Sequence, residues 1–180
     1  MNTALQLHCH PETPCPAVRG VAVELARLGA DQLQLRYRID GDMKSLLVPA
    51  ATHAQRAAEL WQHTCCELFL AAGNAAAYQE YNFSPSGCWA AYQFGGYRAD
   101  RQQLALRAAP LVHCVYAATS LVLTAQLPLD ARYAPGRARV RVGLTTVIET
   151  VAGALSYWAL QHPPGRADFH HAAGHLDMEL

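Results

Sequence analysis

Alternation of apolar and polar side chains recurs along this chain, and it leaves room for little besides antiparallel β-structure. Across residues 33–40, Leu33, Leu35, Tyr37 and Ile39 fall on one face, while Gln34, Arg36, Arg38 and Asp40 fall on the other. A side-chain period of two is what a strand with one buried face requires. Gly41-Asp42 then supplies a turn. The same pattern returns where Val140, Val142 and Leu144 alternate with Arg139, Arg141 and Gly143. It returns again where Leu121, Leu123, Ala125 and Leu127 share a face before Pro128 ends the pairing.

The middle of the chain reads as a meander. A strand from Cys65 leads to Gly73-Asn74, a second runs to Phe83, and Ser84-Pro85-Ser86-Gly87 turns the chain into a third that begins near Trp89. Further strands are expected over residues 21–25, 104–108, 111–116, 145–150 and 155–160. A short helix is expected over residues 53–59, with Thr52 as cap and Gln55 completing a capping box. No internal repeat or linker divides the chain, so residues 1–180 are read as one domain. Residues 1–20 and 163–180 are read as irregular, the second beginning at Pro163-Pro164-Gly165. Many short strands separated by turns predict an all-β fold: two antiparallel sheets packed as a sandwich, or a barrel.

Composition narrows the partners. Fourteen basic side chains balance fourteen acidic ones, so there is no overall positive field for nucleic acid or an anionic membrane. No apolar run is long enough to span a bilayer, and the first residues lack the basic start and apolar centre of a signal peptide. The expectation is a cytoplasmic protein with free thiols. Cys65 and Cys66 would point to opposite faces of one strand and are poorly placed to bridge each other.

Three motifs in order carry a resemblance: ELWQHTCCELFL, then YQEYNFSPSGCWAAYQFGGYR, then SYWAL followed by ADFH. Trp61 precedes a Glu-bearing strand with Glu67; Asn82 lies on the next strand, before the turn of Ser84 to Gly87 and Trp89; Asp168 to His170 give a late Asp-Phe-His. The set resembles the DOMON-like β-sandwich superfamily, and within it the branch related to family 9 carbohydrate-binding modules, from about Val21 onward. The resemblance implies a jelly-roll-like sandwich of two antiparallel sheets that binds small ligands, sugars in some branches and haem in others. Those modules often carry an acidic pair where this chain has His63-Thr64. They also often hold calcium on acidic loops; no acidic loop cluster is present here to supply the roughly six to eight oxygens calcium needs.

Trp61, Trp89 and Trp158 are the candidate stacking residues, because an aromatic plane packs on the C–H face of a sugar ring. Glu67, Asn82, Gln93 and Arg98 are polar types that serve its hydroxyls. Large aromatics also fill cores, and that reading stands beside the first for each Trp. Tyr81 and Phe83 are assigned to the core, whereas Trp89, Tyr92, Tyr97 and Arg98 are the group to watch for ligand. Trp158, alternating with Tyr157, is expected to point away from the core. Glu67 and Asn82 lie opposite apolar neighbours, on a face that needs water or a ligand.

Other chemistries find less. His170, His171 and His175 near Asp168, and His8, Cys9, His10 and Cys15 near the start, lack strong zinc spacing. Haem ligation would draw on Met43 with His170 or His171. Ser84 and Ser86 do not form a nucleophile elbow, Cys65 and Cys66 lack a placed histidine, and Glu67 with Glu80 would act as paired carboxylates only if the fold joined them. The expectation is a non-catalytic domain for a small ligand, first a carbohydrate or cell-wall saccharide, with no cofactor and no metal. A haem or other cofactor-binding domain is the second reading. An enzyme using acidic residues in the same cleft is the third.

Overall fold

The computed structural model describes residues 3–133 and 139–180. The fold is all-β: the described residues form twelve strands and four short 3-10 turns, with no α-helix among them. In chain order the strands are β1 (Thr3–Cys9), β2 (Val18–Arg27), β3 (Gln32–Gly41), β4 (Cys65–Ala72), β5 (Tyr78–Phe83) and β6 (Trp89–Phe94). They continue as β7 (Gln102–Gln103), β8 (Leu111–Ala117), β9 (Ser120–Pro128), β10 (Val140–Glu149), β11 (Leu155–Ala159) and β12 (Leu176–Met178). The order across the sheet is β7-β6-β5-β4-β10-β11-β1-β2-β3-β9-β8, with β12 paired to part of β10. Every strand pair is antiparallel.

This sheet is strongly curled. Leu33, Leu35, Tyr37 and Ile39 of β3 share a buried cluster with Cys66, Leu68 and Leu70 of β4 and Tyr81 and Phe83 of β5. Four strands separate β3 from β4 in the sheet order, so the two halves touch only because strand twist accumulates and folds the sheet over itself. Two tyrosines stitch the halves across the core. The Tyr37 hydroxyl donates to the Glu67 carbonyl at 2.6 Å, and the Tyr133 hydroxyl donates to that of Leu70 at 3.1 Å.

The alternating segments fold as their pattern dictates. Leu33, Leu35, Tyr37 and Ile39 are fully buried, as are Leu121, Leu123 and Ala125. The meander of β4, β5 and β6 turns at Gly73 and at Ser84 to Gly87, and Tyr81 with Phe83 faces the core. Cys65 and Cys66 lie on opposite faces of β4, and only Cys66 joins the main core.

Four expectations are corrected. No helix forms over residues 53–59: this segment runs extended beside β6, where Gln55 C=O accepts from Trp89 N–H at 3.0 Å and Ala57 N–H donates to Trp89 C=O at 2.9 Å. A single short helix is marginal by itself, and pairing to an open strand edge outweighs a capping signal. Residues 104–108 form no strand; the pairing there is confined to Gln102–Gln103. The expectation of an irregular start fails over Thr3–Cys9, where β1 inserts between β2 and β11. The tail beyond residue 163 contains β12, and the rest of it lies over the sheet.

Trp89 and Trp158 are core residues, 7% and 6% exposed, and this corrects their assignment to a binding platform. Trp158 faces inward while Tyr157 faces out, the reverse of the expected parity. Its indole N–H is satisfied by Ser156 Oγ at 3.1 Å, which lets the ring be buried without an orphaned donor. Arg56 lies over the Trp89 ring at 4.4 Å. Trp61, in contrast, is 44% exposed. Trp158→Ala should therefore cost roughly 3–5 kcal/mol of stability, whereas Trp61→Ala should shift it by about 0.5 kcal/mol or less. Chemical denaturation of the two variants checks this, and equal losses would contradict the placement.

Candidate functional site

Strands β4 and β5 are buried along nearly their whole length. One face meets the core. The other carries Glu67, Phe69, Tyr78, Glu80 and Asn82, and it forms part of the floor of a cleft of about 630 Å³. Register explains the grouping. Glu67 stands between Thr145 on β10 and Asn82 on β5, and Phe69 stands beside Glu80, which in turn faces Tyr92.

Three further segments wall the cleft. The loop after β1 brings His10, Glu12 and Thr13; the turn before β4 brings Trp61; the tail brings Arg166, Phe169 and His170. The tail can lie close because β10 has Gly143 beneath it. A Cβ there would stand 2.4 Å from the His175 ring. His175 stacks on Phe69 with ring centroids 5.4 Å apart, and its Nε2 donates to the Phe169 carbonyl at 2.9 Å. His170 Nδ1 meets the Tyr78 hydroxyl at 2.7 Å, and its ring sits edge-on to Phe94 at 5.2 Å.

The loop that follows β6 sets the other rim. Arg98 and Asp100 adopt left-handed backbone, with φ of 52° and 54°, and Glu59, just before Trp61, does the same at 58°. Such conformations cost about 1–3 kcal/mol each and persist where surrounding contacts impose them. Here Arg98 N–H donates to the Tyr78 hydroxyl at 3.2 Å, its guanidinium pairs with Asp168 at 2.9 Å, and Tyr97 hydroxyl donates to the same carboxylate.

The floor is where charge is hardest to hold. Glu67 and Glu80 are 3% and 5% exposed. Glu67 Oε2 accepts from Thr145 Oγ1 at 3.2 Å, and Glu80 Oε1 accepts from Asn82 Nδ2 at 2.6 Å. Glu67 Oε1 is buried with no hydrogen-bond partner among the described residues. Burial, and then repulsion from Glu80, push the Glu67 carboxyl well above the ordinary range. Burial also raises Glu80. His170 is pushed down to about 4, first by burial and then by Arg98. Its 3.8 Å approach to Glu80 is thus a contact between an imidazole that is neutral near neutral pH and a buried carboxyl, not an ion pair.

Of the residues singled out from sequence, Trp61, Glu67 and Arg98 line the cleft. Asn82 lies beneath it, holding Glu80, and Tyr92 lies under the Arg101 guanidinium at 5.3 Å. Trp89 and Trp158 lie on the opposite side of the sheet. Glu80 faces the cleft with Glu67, so the fold joins the two carboxyls. Sequence reasoning missed Arg101, Tyr157, Arg166 and Phe169. Parity could have found Tyr157 once Trp158 was turned inward, but no spacing signal marks the two arginines, which come from loops.

The haem and zinc ligand sets do not assemble. Met43 belongs to the main core, whereas His170 faces the cleft. Among the described residues no three His, Cys, Asp or Glu side chains are grouped to hold a metal ion.

No family model matches the sequence, and no curated protein matches it. Solved structures do. A "putative carbohydrate-binding protein" from Bacteroides uniformis superposes with a TM-score of 0.71 at 14% identity, over 97% of this chain and 84% of its own. The chain shares its fold with that protein. Two structures of a family 9 carbohydrate-binding module from Caldicellulosiruptor kristjanssonii are also similar. The glucose complex gives a TM-score of 0.53 at 10% identity, over 96% of this chain and 83% of the module. The cellotriose complex gives 0.50 at 10%, over 81% and 67%. The all-β, curled antiparallel fold is thus shared with these structures.

The titration of the floor has a defined sign. A carboxyl raised in the folded state binds its proton more tightly there than when unfolded, so stability falls as pH rises above about 4.5, the ordinary value. His170, lowered to about 4 from 6.5, works oppositely between those two values. The difference between Glu67→Gln and the parent protein isolates the carboxyl. Glu67→Gln should gain thermal stability relative to the parent as pH is raised from about 4.5. A difference that is flat in pH would contradict the raised carboxyl.

Proposed function

We propose that the cleft binds a saccharide non-covalently, with Trp61 as the stacking plane and Glu67 and Arg98 as polar contacts. The observation that carries the reading is Glu67 Oε1, a buried oxygen without a partner in the floor of an open, aromatic-walled cleft. A buried polar atom left unpaired costs about 1–3 kcal/mol, and a ligand hydroxyl entering the cleft, able to donate or accept, would remove that cost. Trp61, Phe94, Tyr157 and Phe169 offer apolar surface around it, which suits a ring that is apolar on its faces and polar at its edge.

The similarity to the Bacteroides uniformis protein, and to a module solved with glucose and with cellotriose, supports a carbohydrate as the ligand class. In this reading the curled sheet is a two-sheet, jelly-roll-like sandwich of the DOMON-like kind, and the ligand is a cell-wall saccharide. In this reading the site binds its ligand and carries out no reaction on it.

Calorimetric titration against a panel of mono- and oligosaccharides tests the reading. For a saccharide that binds, Trp61→Ala and Glu67→Ala should each weaken affinity by about tenfold or more, equivalent to about 1.4 kcal/mol. Trp61→Ala should do so with its melting temperature almost unchanged. Binding that survives both substitutions would contradict the site. A panel with no binder would contradict the function.

A further inference from the structure

Among the described residues, three arginines line this cleft, Arg98, Arg101 and Arg166. Arg98 is neutralised by Asp168 at 2.9 Å. Arg101 and Arg166 are exposed, and neither has a carboxylate within ion-pairing distance among the described residues. Arg101 is held over Tyr92 at 5.3 Å, a stacking contact that fixes the plane of the group and leaves its N–H edge available. Glu12 is the remaining carboxylate at the rim and pairs with neither.

The floor carboxyls do not pair with these two arginines: neither Glu67 nor Glu80 lies within ion-pairing distance of Arg101 or Arg166, and burial raises both carboxyls. His170 is neutral at neutral pH. The cleft therefore combines an unpartnered carboxyl oxygen at its floor, Glu67 Oε1, with two unpaired fork-shaped cations at its mouth. Positive charge at the mouth of a recess with apolar walls concentrates the field there. Guanidinium forks match the planar oxygens of carboxylate and phosphate.

We infer that the cleft takes an anionic saccharide, with hydroxyls toward Glu67 and its carboxylate or phosphate received by Arg101 and Arg166. This rests on the saccharide reading given above and adds the charge of the ligand to it. A cationic ligand is disfavoured by the same three arginines, although carboxyls beneath aromatic walls would otherwise suit one.

The test compares matched sugars: D-glucose, D-glucuronate and D-glucose 6-phosphate, with D-galactose and D-galacturonate as a second pair. Each is titrated by calorimetry at low and at high salt. At least one anionic sugar should bind about tenfold or more tightly than its neutral parent. The advantage should shrink as added salt brings the screening length below about 10 Å. Whether the uronate or the phosphate gains more identifies the anionic group. The Arg101→Gln, Arg166→Gln double variant should lower the anionic sugar to the affinity of its neutral parent. Arg36→Gln removes one positive charge from a residue outside the cleft lining, paired with Glu24 at 3.3 Å, and should retain the preference. Neutral sugars that bind as tightly as their anions would overturn the inference and leave the saccharide reading standing. Binding by none of the five would overturn both. A preference that Arg36→Gln abolishes as fully as the double variant would trace it to net charge and overturn the assignment to these two arginines.

Discussion

Strands β4 and β5 must be buried on both faces, and one of those faces carries two carboxyls. That constraint organises the molecule. The inner face is satisfied by the curled sheet, whose far half brings Leu33, Leu35, Tyr37 and Ile39 against it. The Tyr37 hydroxyl, donating to the Glu67 carbonyl from across the core, fixes the backbone of β4 at the residue whose side chain emerges into the cleft. The outer face cannot be sealed in the same way. Thr145 and Asn82 each satisfy one carboxyl oxygen there, and Glu67 Oε1 has no partner among the described residues. A site built only for stability would put an apolar side chain at this position, because burying an unpaired polar atom is costly.

The aromatics divide along the same line. Tyr81, Phe83, Trp89 and Trp158 fill the interior, whereas Trp61, Phe94, Tyr157 and Phe169 surround the cleft. Secondary structure holds the first group rigidly. Part of the second group, and all three cleft arginines, come from loops and the tail. Left-handed backbone at Glu59, Arg98 and Asp100 marks where those loops are forced into position. Gly143 lets the tail settle against β10 without a side chain beneath His175.

Much of the sheet was legible in the sequence because strand periodicity is local. Alternation placed β3, β9 and β10 and assigned Tyr81 and Phe83 to the core, and turn residues marked the hairpins of the meander. Glu67 and Asn82 could be set on a polar face for the same reason. Parity alone does not say which face is inward, so Trp158 was turned the wrong way and Tyr157 was overlooked. The pairing of residues 53–59 with β6, the insertion of β1 beside β11, and the convergence of Arg101 and Arg166 on one cleft depend on contacts between segments far apart in the chain. No local pattern encodes them.

The central claim is that Glu67 Oε1 is a hydrogen-bonding oxygen held open for a ligand hydroxyl, which can donate to it or accept from it. A crystal structure of the protein soaked with a saccharide that binds in solution tests it most directly. The account predicts a sugar ring against the Trp61 plane, with one hydroxyl within about 3 Å of Glu67 Oε1. A sugar bound elsewhere, for instance in the smaller hollow beside Asp100, Gln102 and Arg132, with Glu67 Oε1 still unpartnered, would contradict it.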